Sequence, residues 1–176
     1  MSLSLALAEV PSDSDSMKPL PIALRSFQPG NVADAAAFRS LNEWWIEKYF
    51  GLEQHDREML GDPEGYVLAK GGHIFFAIGD GAPVGCCGLT LVSPGIFEVV
   101  KMAVAPDWQG AGVGRKLLAY AVEQGRSLGA HTLYLETNSS LSSAIHLYES
   151  LGFRHLPPRP SPYARANVFM ELRFRP

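Results

Sequence analysis

A chain of 176 residues, 47% of them apolar, can bury one substantial core, so a single domain is expected. The formal net charge of -3 gives no overall attraction to nucleic acid or to an anionic membrane surface. No apolar run reaches bilayer-spanning length, so a soluble protein with no nucleic-acid or membrane partner is expected.

Residues 1–18 start with a short apolar stretch that no Lys or Arg precedes, then turn to Ser and Asp. They read as a flexible N-terminal extension rather than a signal peptide, which leaves residues 19–176 as the domain. Residues 21–26 read as a first strand. Over residues 32–50, Ala33, Ala36, Ala37, Leu41, Trp44, Trp45 and Tyr49 recur at helical spacings, and Gly51 ends the run. Residues 53–60 form a second short helix, closed by the turn-forming Gly61, Asp62, Pro63, Glu64 and Gly65. Residues 73–78 and 84–92 are strands, and Gly79-Asp80-Gly81 between them is a hairpin signal. The only cysteines, Cys86 and Cys87, are adjacent on that second strand. Neighbours on a strand point to opposite faces, so the two are expected as buried reduced thiols, which favours a cytoplasmic setting.

Residues 96–104 form a third strand after Ser93-Pro94-Gly95, and a glycine-rich turn follows it. A helix over 112–128 stops at Gly129, and residues 131–137 are a strand. A helix over 140–151 stops at Gly152, and a proline-rich loop at 157–162 leads to a last strand at 166–174. No internal repeat is visible.

The turn itself is Gln109-Gly110-Ala111-Gly112-Val113-Gly114-Arg115, between an apolar strand and a helix. Glycines let backbone N–H groups approach an anion closely, and the helix start adds unpaired donors and its positive dipole end. A ligand with phosphates is expected. The pattern G-x-G-x-x-G is absent, no Lys-Ser/Thr follows Gly114, and the preceding strands are linked by hairpins rather than helical crossovers. These departures argue against a doubly wound nucleotide-binding fold and a P-loop.

The order of elements, the Q-x-x-G-x-G turn at Gln109–Gly114, and Ala144-Ile145-His146-Leu147-Tyr148-Glu149-Ser150-Leu151-Gly152-Phe153 together resemble the GNAT superfamily of N-acetyltransferases. The resemblance implies an α/β fold of α+β type: one GNAT-like domain with a mixed, mostly antiparallel sheet of about six to seven strands flanked by helices. That sheet is expected to splay between the strands ending near Val104 and Thr137. The implied co-substrate is acetyl-CoA. Its pyrophosphate is expected on Gln109, Gly110, Ala111, Gly112, Val113, Gly114 and Arg115, with Gly112 and Gly114 placed where a Cβ would obstruct it. Its pantetheine arm is expected along Met102, Ala103 and Val104, in the manner of an added strand. Many members carry Asn seven residues before the tyrosine, where this chain has Leu141; Asn138 either takes over part of that role or caps the helix.

Acetyl transfer to an amine needs a neutral amine, a polarised thioester carbonyl and a proton for the leaving thiolate. The resemblance places Tyr148 near the CoA sulfur as general acid, and helix packing is its other reading. For the base, Glu98 stands in an apolar strand where desolvation raises a carboxyl pKa. Alternation puts Glu98 on one face with Val100, Met102 and Val104 unless a bulge intervenes; an ion pair with Lys101 or Arg115 is its structural reading. Glu136 is the rival base, because ribosomal-protein N-terminal acetyltransferases carry a glutamate in a similar part of the cleft. A water relay is the third possibility.

The acceptor site is expected around Trp44, Trp45, Tyr49, Phe50 and residues 157–165. There Arg159 and Arg165 are either ligands for a substrate carboxylate or solvated loop cations. His55 and His73 have no second ligand at metal spacing, so no metal is expected. The expected function is direct transfer of an acetyl group from acetyl-CoA to a primary amine on a small molecule or a peptide, by a monomer or homodimer. The alternative is a non-catalytic CoA-binding sensor or regulatory module.

Overall fold

The structure is a computed structural model that describes residues 21–174. The expected extension lies outside the described residues. Seven strands form one sheet: β1 (Ala23–Ser26), β2 (His73–Gly79), β3 (Ala82–Ser93), β4 (Ile96–Val104), β5 (Thr132–Thr137), β6 (Arg154–Leu156) and β7 (Val168–Arg173), in spatial order β1-β2-β3-β4-β5-β7-β6. Every pairing is antiparallel except β4 with β5. The β2–β3 turn carries positive φ at both Asp80 (48°) and Gly81 (79°), as a tight hairpin requires.

The helices are α1 (Val32–Tyr49), α2 (Gln54–Gly61), α3 (Pro63–Tyr66), α4 (Val113–Ser127) and α5 (Ser142–Ser150). Asn31 caps α1 by accepting from the N–H groups of Ala33 and Asp34, and Glu53 and Asp56 close a capping box on α2. The short α3 takes the place of an expected turn because Pro63 opens a helical turn and Asp62 accepts from the N–H of Gly65. β6 went unread because three residues carry no period.

The pleat sends alternate side chains to two cores. Phe75, Ala77, Cys87, Leu89, Phe97 and Val99 pack under α4, which presents Val113, Leu117, Leu118, Ala121 and Val122 at helical spacing. Ile74, Phe76, Cys86, Val100 and Ala103 pack on the other face with Phe38 and Ile46 of α1 and Met59 and Leu60 of α2. Each fully buried leucine in these layers contributes about 1.5–3 kcal/mol. Cys86 and Cys87 are free thiols on opposite faces, as alternation requires. Among the described residues no helix is long and apolar enough to cross a membrane.

Two irregularities make the site. β4 and β5 pair only from Ile96 with Thr132 to Val99 with Leu135, so residues 100–104 diverge from the end of β5. That is the expected splay. β4 also carries a bulge: Cys86 pairs with Ala103 and Gly88 with Val100, which leaves Lys101 and Met102 opposite Cys87 alone, with Lys101 at φ 50°. The extra residue inverts the parity of the strand. Glu98 and Val100 share the α1 face with Ala103, whereas Met102 and Val104 lie on the α4 face with Phe97 and Val99. Simple alternation, which grouped Glu98 with Met102 and Val104, is therefore corrected by the bulge.

Candidate active site

A cleft of about 880 Å³ passes through the splay from one face of the sheet to the other. On the α4 face its wall is the glycine turn. Gly110 and Gly112 adopt φ of 77° and 78°, and a Cβ at either would meet nothing within 4 Å, so backbone conformation rather than space requires glycine there. A Cβ on Gly114 would touch Leu147, Met102 and Val104 at 3.5–3.6 Å, ordinary contact, and would project into the cleft wall. Gly112 thus adopts the left-handed turn, and Gly114 sits against Leu147, Met102 and Val104 in the cleft lining.

Gly112 is the N-cap of α4 and its carbonyl accepts the N–H of Lys116. The N–H groups of Gly110, Ala111, Gly112, Val113, Gly114 and Arg115 have no hydrogen-bond partner among the described residues. Successive free donors at the positive end of a 15-residue helix form a cradle for a phosphate-bearing ligand. The side chains of this turn are used elsewhere. Gln109 Nε2 donates to Val104 O (2.9 Å) and Arg115 Nη1 donates to Ser150 Oγ (2.6 Å), tying the turn to β4 and to α5.

At the end of β4, Ala105 N–H donates to Val84 O (2.8 Å) on the β3 side. The pleat then turns the backbone groups of Val104 and Met102 toward the gap left by β5, and those of Ala103 toward β3. Of the three residues expected to hold an extended amide-bearing chain, Met102 offers its backbone N–H and C=O and Val104 its N–H, its O being held by Gln109, while Ala103 offers only surface. Asn138 lines the cleft, but its amide is engaged: Nδ2 donates to Arg165 O (2.6 Å) and Oδ1 accepts the N–H of Ser140 (2.9 Å). It braces the loop, and the N-cap of α5 is Leu141 rather than Asn138.

Tyr148 projects from α5 into the cleft, 9% exposed, against Phe153 at 5.9 Å. Its hydroxyl has no hydrogen-bond partner among the described residues, and burial, with a smaller contribution from Cys87, raises its pKa and keeps it protonated. The thiols are poor nucleophiles: burial raises Cys86 to about 12 and Cys87 further.

Glu98 and Glu136 come together on the α1 face. Burial first, then the neighbouring charge of Glu136, raises the Glu98 carboxyl to about 7, with Lys101 opposing the shift. Neither expected ion pair of Glu98 forms: Lys101 Nζ goes to Asp56 (2.7 Å) and Arg115 to Ser150. Both oxygens of Glu136 are taken, one by Tyr134 OH (2.8 Å) and one by Ser161 Oγ. Tyr163 and Arg165 of the loop before β7 and Trp44, Trp45, Tyr49 and Phe50 of the α1 end complete this half.

Beneath that half lies a buried ionic network absent from the sequence reading. Asp56 accepts from Lys101 Nζ (2.7 Å), from Arg165 Nη1 and Nη2 (2.7 and 2.8 Å) and from the N–H of Glu53 (3.0 Å). Lys101 Nζ also donates to Tyr163 OH (2.9 Å), and Arg165 Nη1 to Glu53 (2.9 Å). Arg165 is therefore neither a free carboxylate ligand nor a solvated cation. A lone lysine in the apolar run of β4 was the available signal.

A family model for the acetyltransferase (GNAT) family matches residues 38–153. The chain belongs to the GNAT acetyltransferase family. Among GNAT relatives, an uncharacterized N-acetyltransferase, YjgM, of Escherichia coli (strain K12) is 34% identical over 77% of this chain and 83% of its own length. The E. coli (strain K12) ribosomal protein bS18-alanine N-acetyltransferase is 30% identical over 68% of this chain and 70% of its own. Among solved structures, yncA of Salmonella typhimurium with its cofactor acetyl-CoA superposes with a TM-score of 0.69 at 23% identity, over 87% of this chain and 94% of that one. The free N–H groups of the turn and the open backbone groups of Met102 and the Val104 N–H are donors and acceptors of the kind that a ligand with phosphates and an amide-bearing arm requires. The residues present fit it.

Proposed function

We propose that the protein transfers an acetyl group from acetyl-CoA directly to a primary amine, with Glu98 as base and Tyr148 as acid. The observation that carries the reading is the run of free N–H groups from Gly110 to Arg115 at the start of α4, in which Gly110 and Gly114 line the same cleft as Glu98 and Tyr148. Bound acetyl-CoA supplies an activated thioester. The cradle holds its phosphates, and the backbone groups of Met102 and Val104 orient its arm. Glu98 lies on the α1 face and Tyr148 packs with the α4-face core, so in this reading the amine approaches from the α1 face. Glu98, with a carboxyl at about 7, is ionised in a useful fraction near neutrality and takes the ammonium proton. The freed nitrogen lone pair forms the bond to the carbonyl carbon, the carbon–sulfur bond breaks, Tyr148 OH gives its proton to the departing thiolate, and the second proton leaving the acylated nitrogen restores the Tyr148 hydroxyl through water. A covalent acetyl-cysteine route finds no support, because Cys86 and Cys87 are buried in the two cores.

Tyr148→Phe is expected to lower kcat by about ten- to a hundredfold while the acetyl-CoA Kd, measured by titration calorimetry, changes by less than about twofold. Unchanged turnover removes the acid role, and lost binding assigns Tyr148 to packing.

A further inference from the structure

The electrostatics of the α1 half of the cleft discriminate among amines. Its cations are cancelled internally: Lys101, 4% exposed, is paired with Asp56, and Arg165, 15% exposed, is shared between Asp56 and Glu53. Two other cations lie nearby, and both stack on aromatic rings. Lys48 sits over Trp44 and Tyr49 at 4.9 and 5.2 Å, and Arg159 sits over Tyr134 at 4.8 Å, outside the cleft lining. The carboxylates are not cancelled. Among the described residues neither Glu98 nor Glu136 forms an ion pair, and the groups donating to Glu136 are the neutral hydroxyls of Tyr134 and Ser161.

We propose that the acceptor is a cationic amine with no carboxylate beside its reactive nitrogen, recognised by the unpaired Glu136 and Glu98. This deepens the acetyl-transfer reading and rests on it. An ammonium entering from the α1 face meets Glu136, whose two hydroxyl donors fix its orientation, and passes its proton to Glu98. A carboxylate on the neighbouring carbon would instead be brought against two acidic groups with every buried cation already engaged, a like-charge arrangement that costs binding. A diamine and the amino end of a peptide share the required chemistry; a free α-amino acid lacks it.

Matched pairs that differ at the carboxyl group test the inference: alaninamide against alanine, and isobutylamine against valine, with cadaverine as a diamine probe. The carboxylate-free member of each pair is expected to show a kcat/KM at least about tenfold higher, with most of the difference in KM. Glu136→Gln is expected to compress that ratio toward one. Whichever of alaninamide and cadaverine is the better acceptor separates a peptide end from a diamine, and either result upholds the inference. Alanine and valine reacting as well as their partners, or a ratio untouched by Glu136→Gln, overturns it. Binding to the unmodified protein with CoA present, followed by tryptophan fluorescence, separates this inference from the acetyl-transfer reading. The cationic probes should quench the signal with an affinity that falls as salt rises, and the carboxylated ones should not. Failure of all the cationic probes to bind refutes the acceptor class, whereas their binding without turnover refutes the transfer chemistry alone.

Discussion

Glu98→Gln lowers kcat/KM by about a hundred- to a thousandfold, the range a positioned general base supplies. The substitution keeps the shape and removes only the proton acceptor, so acetyl-CoA affinity is expected to stay within about threefold of the parent. The pH profile carries the sharper signature. A base works when deprotonated, and the Glu98 carboxyl sits at about 7, so kcat/KM should rise as pH increases through that value and level off above it. In Glu98→Gln the inflection should vanish. A profile that keeps its inflection after the substitution would move the base to Glu136 or to a relayed water. The same carboxyl bears on stability with the opposite slope. Its folded pKa lies above the ordinary carboxylate value, so the folded state binds the extra proton and stability from this group falls as pH rises from about 4.5 to 7.

Asp56→Ala is the substitution with the largest expected effect on the fold. The Asp56 side chain is fully buried and holds the Lys101 ammonium, the Arg165 fork and the start of α2 together. Removing it leaves a buried ammonium unpaired and an arginine half-satisfied, which costs about 3–5 kcal/mol. Thermal unfolding followed by circular dichroism should show a fall in Tm of about 10 °C or more. A loss under about 1 kcal/mol would mean that water reaches these charges. Burial pushes the Asp56 carboxyl upward, but Arg165, Lys101 and the Glu53 N–H hold it down at about 2. A depressed folded pKa contributes stability that is complete above the unfolded value of about 3.8 and is lost as pH falls toward 2. Acid unfolding of the parent should therefore begin in that window, and the variant should lack this component.

What the chain discloses before folding depends on the range of the interaction. The glycine turn and the helix after it are legible because their demands are local: left-handed φ at Gly110 and Gly112 and an apolar stripe from Val113 to Val122. The aromatic rim was legible for the same reason, since Trp44, Trp45 and Tyr49 belong to one helical period. The bulge was not. It is built at Lys101 and Met102 without a glycine, so no residue type marks it, yet it sends Glu98 and Met102 to opposite faces. The ionic network was hidden for another reason. Lys101 lies 45 residues from Asp56, and Arg165 lies 109 from it, and no local period links such distant positions. That network decides the fate of Arg165: a cation that looks free in the sequence is consumed inside the fold. Asn138 makes a similar point, because a side chain expected to contact either ligand or helix instead braces the loop through Arg165 O and Ser140 N.

The network and the bulge connect stability to chemistry. Asp56 anchors Lys101 at the bulge and Arg165 in the loop that carries Ser161 and Tyr163, so one buried carboxylate fixes both walls around Glu98. The site is held by the same contacts that hold the fold.

The central claim is direct acetyl transfer through this cleft to an amine free of a neighbouring carboxylate. The most direct measurement incubates the protein with acetyl-CoA and alaninamide and follows free thiol and acetylated amide together by mass spectrometry. Equimolar thiol and N-acetylalaninamide, formed only when both substrates are present and faster as pH rises through 7, is the predicted result. Acetyl-CoA that binds but releases no more thiol with alaninamide or cadaverine than without them would contradict it.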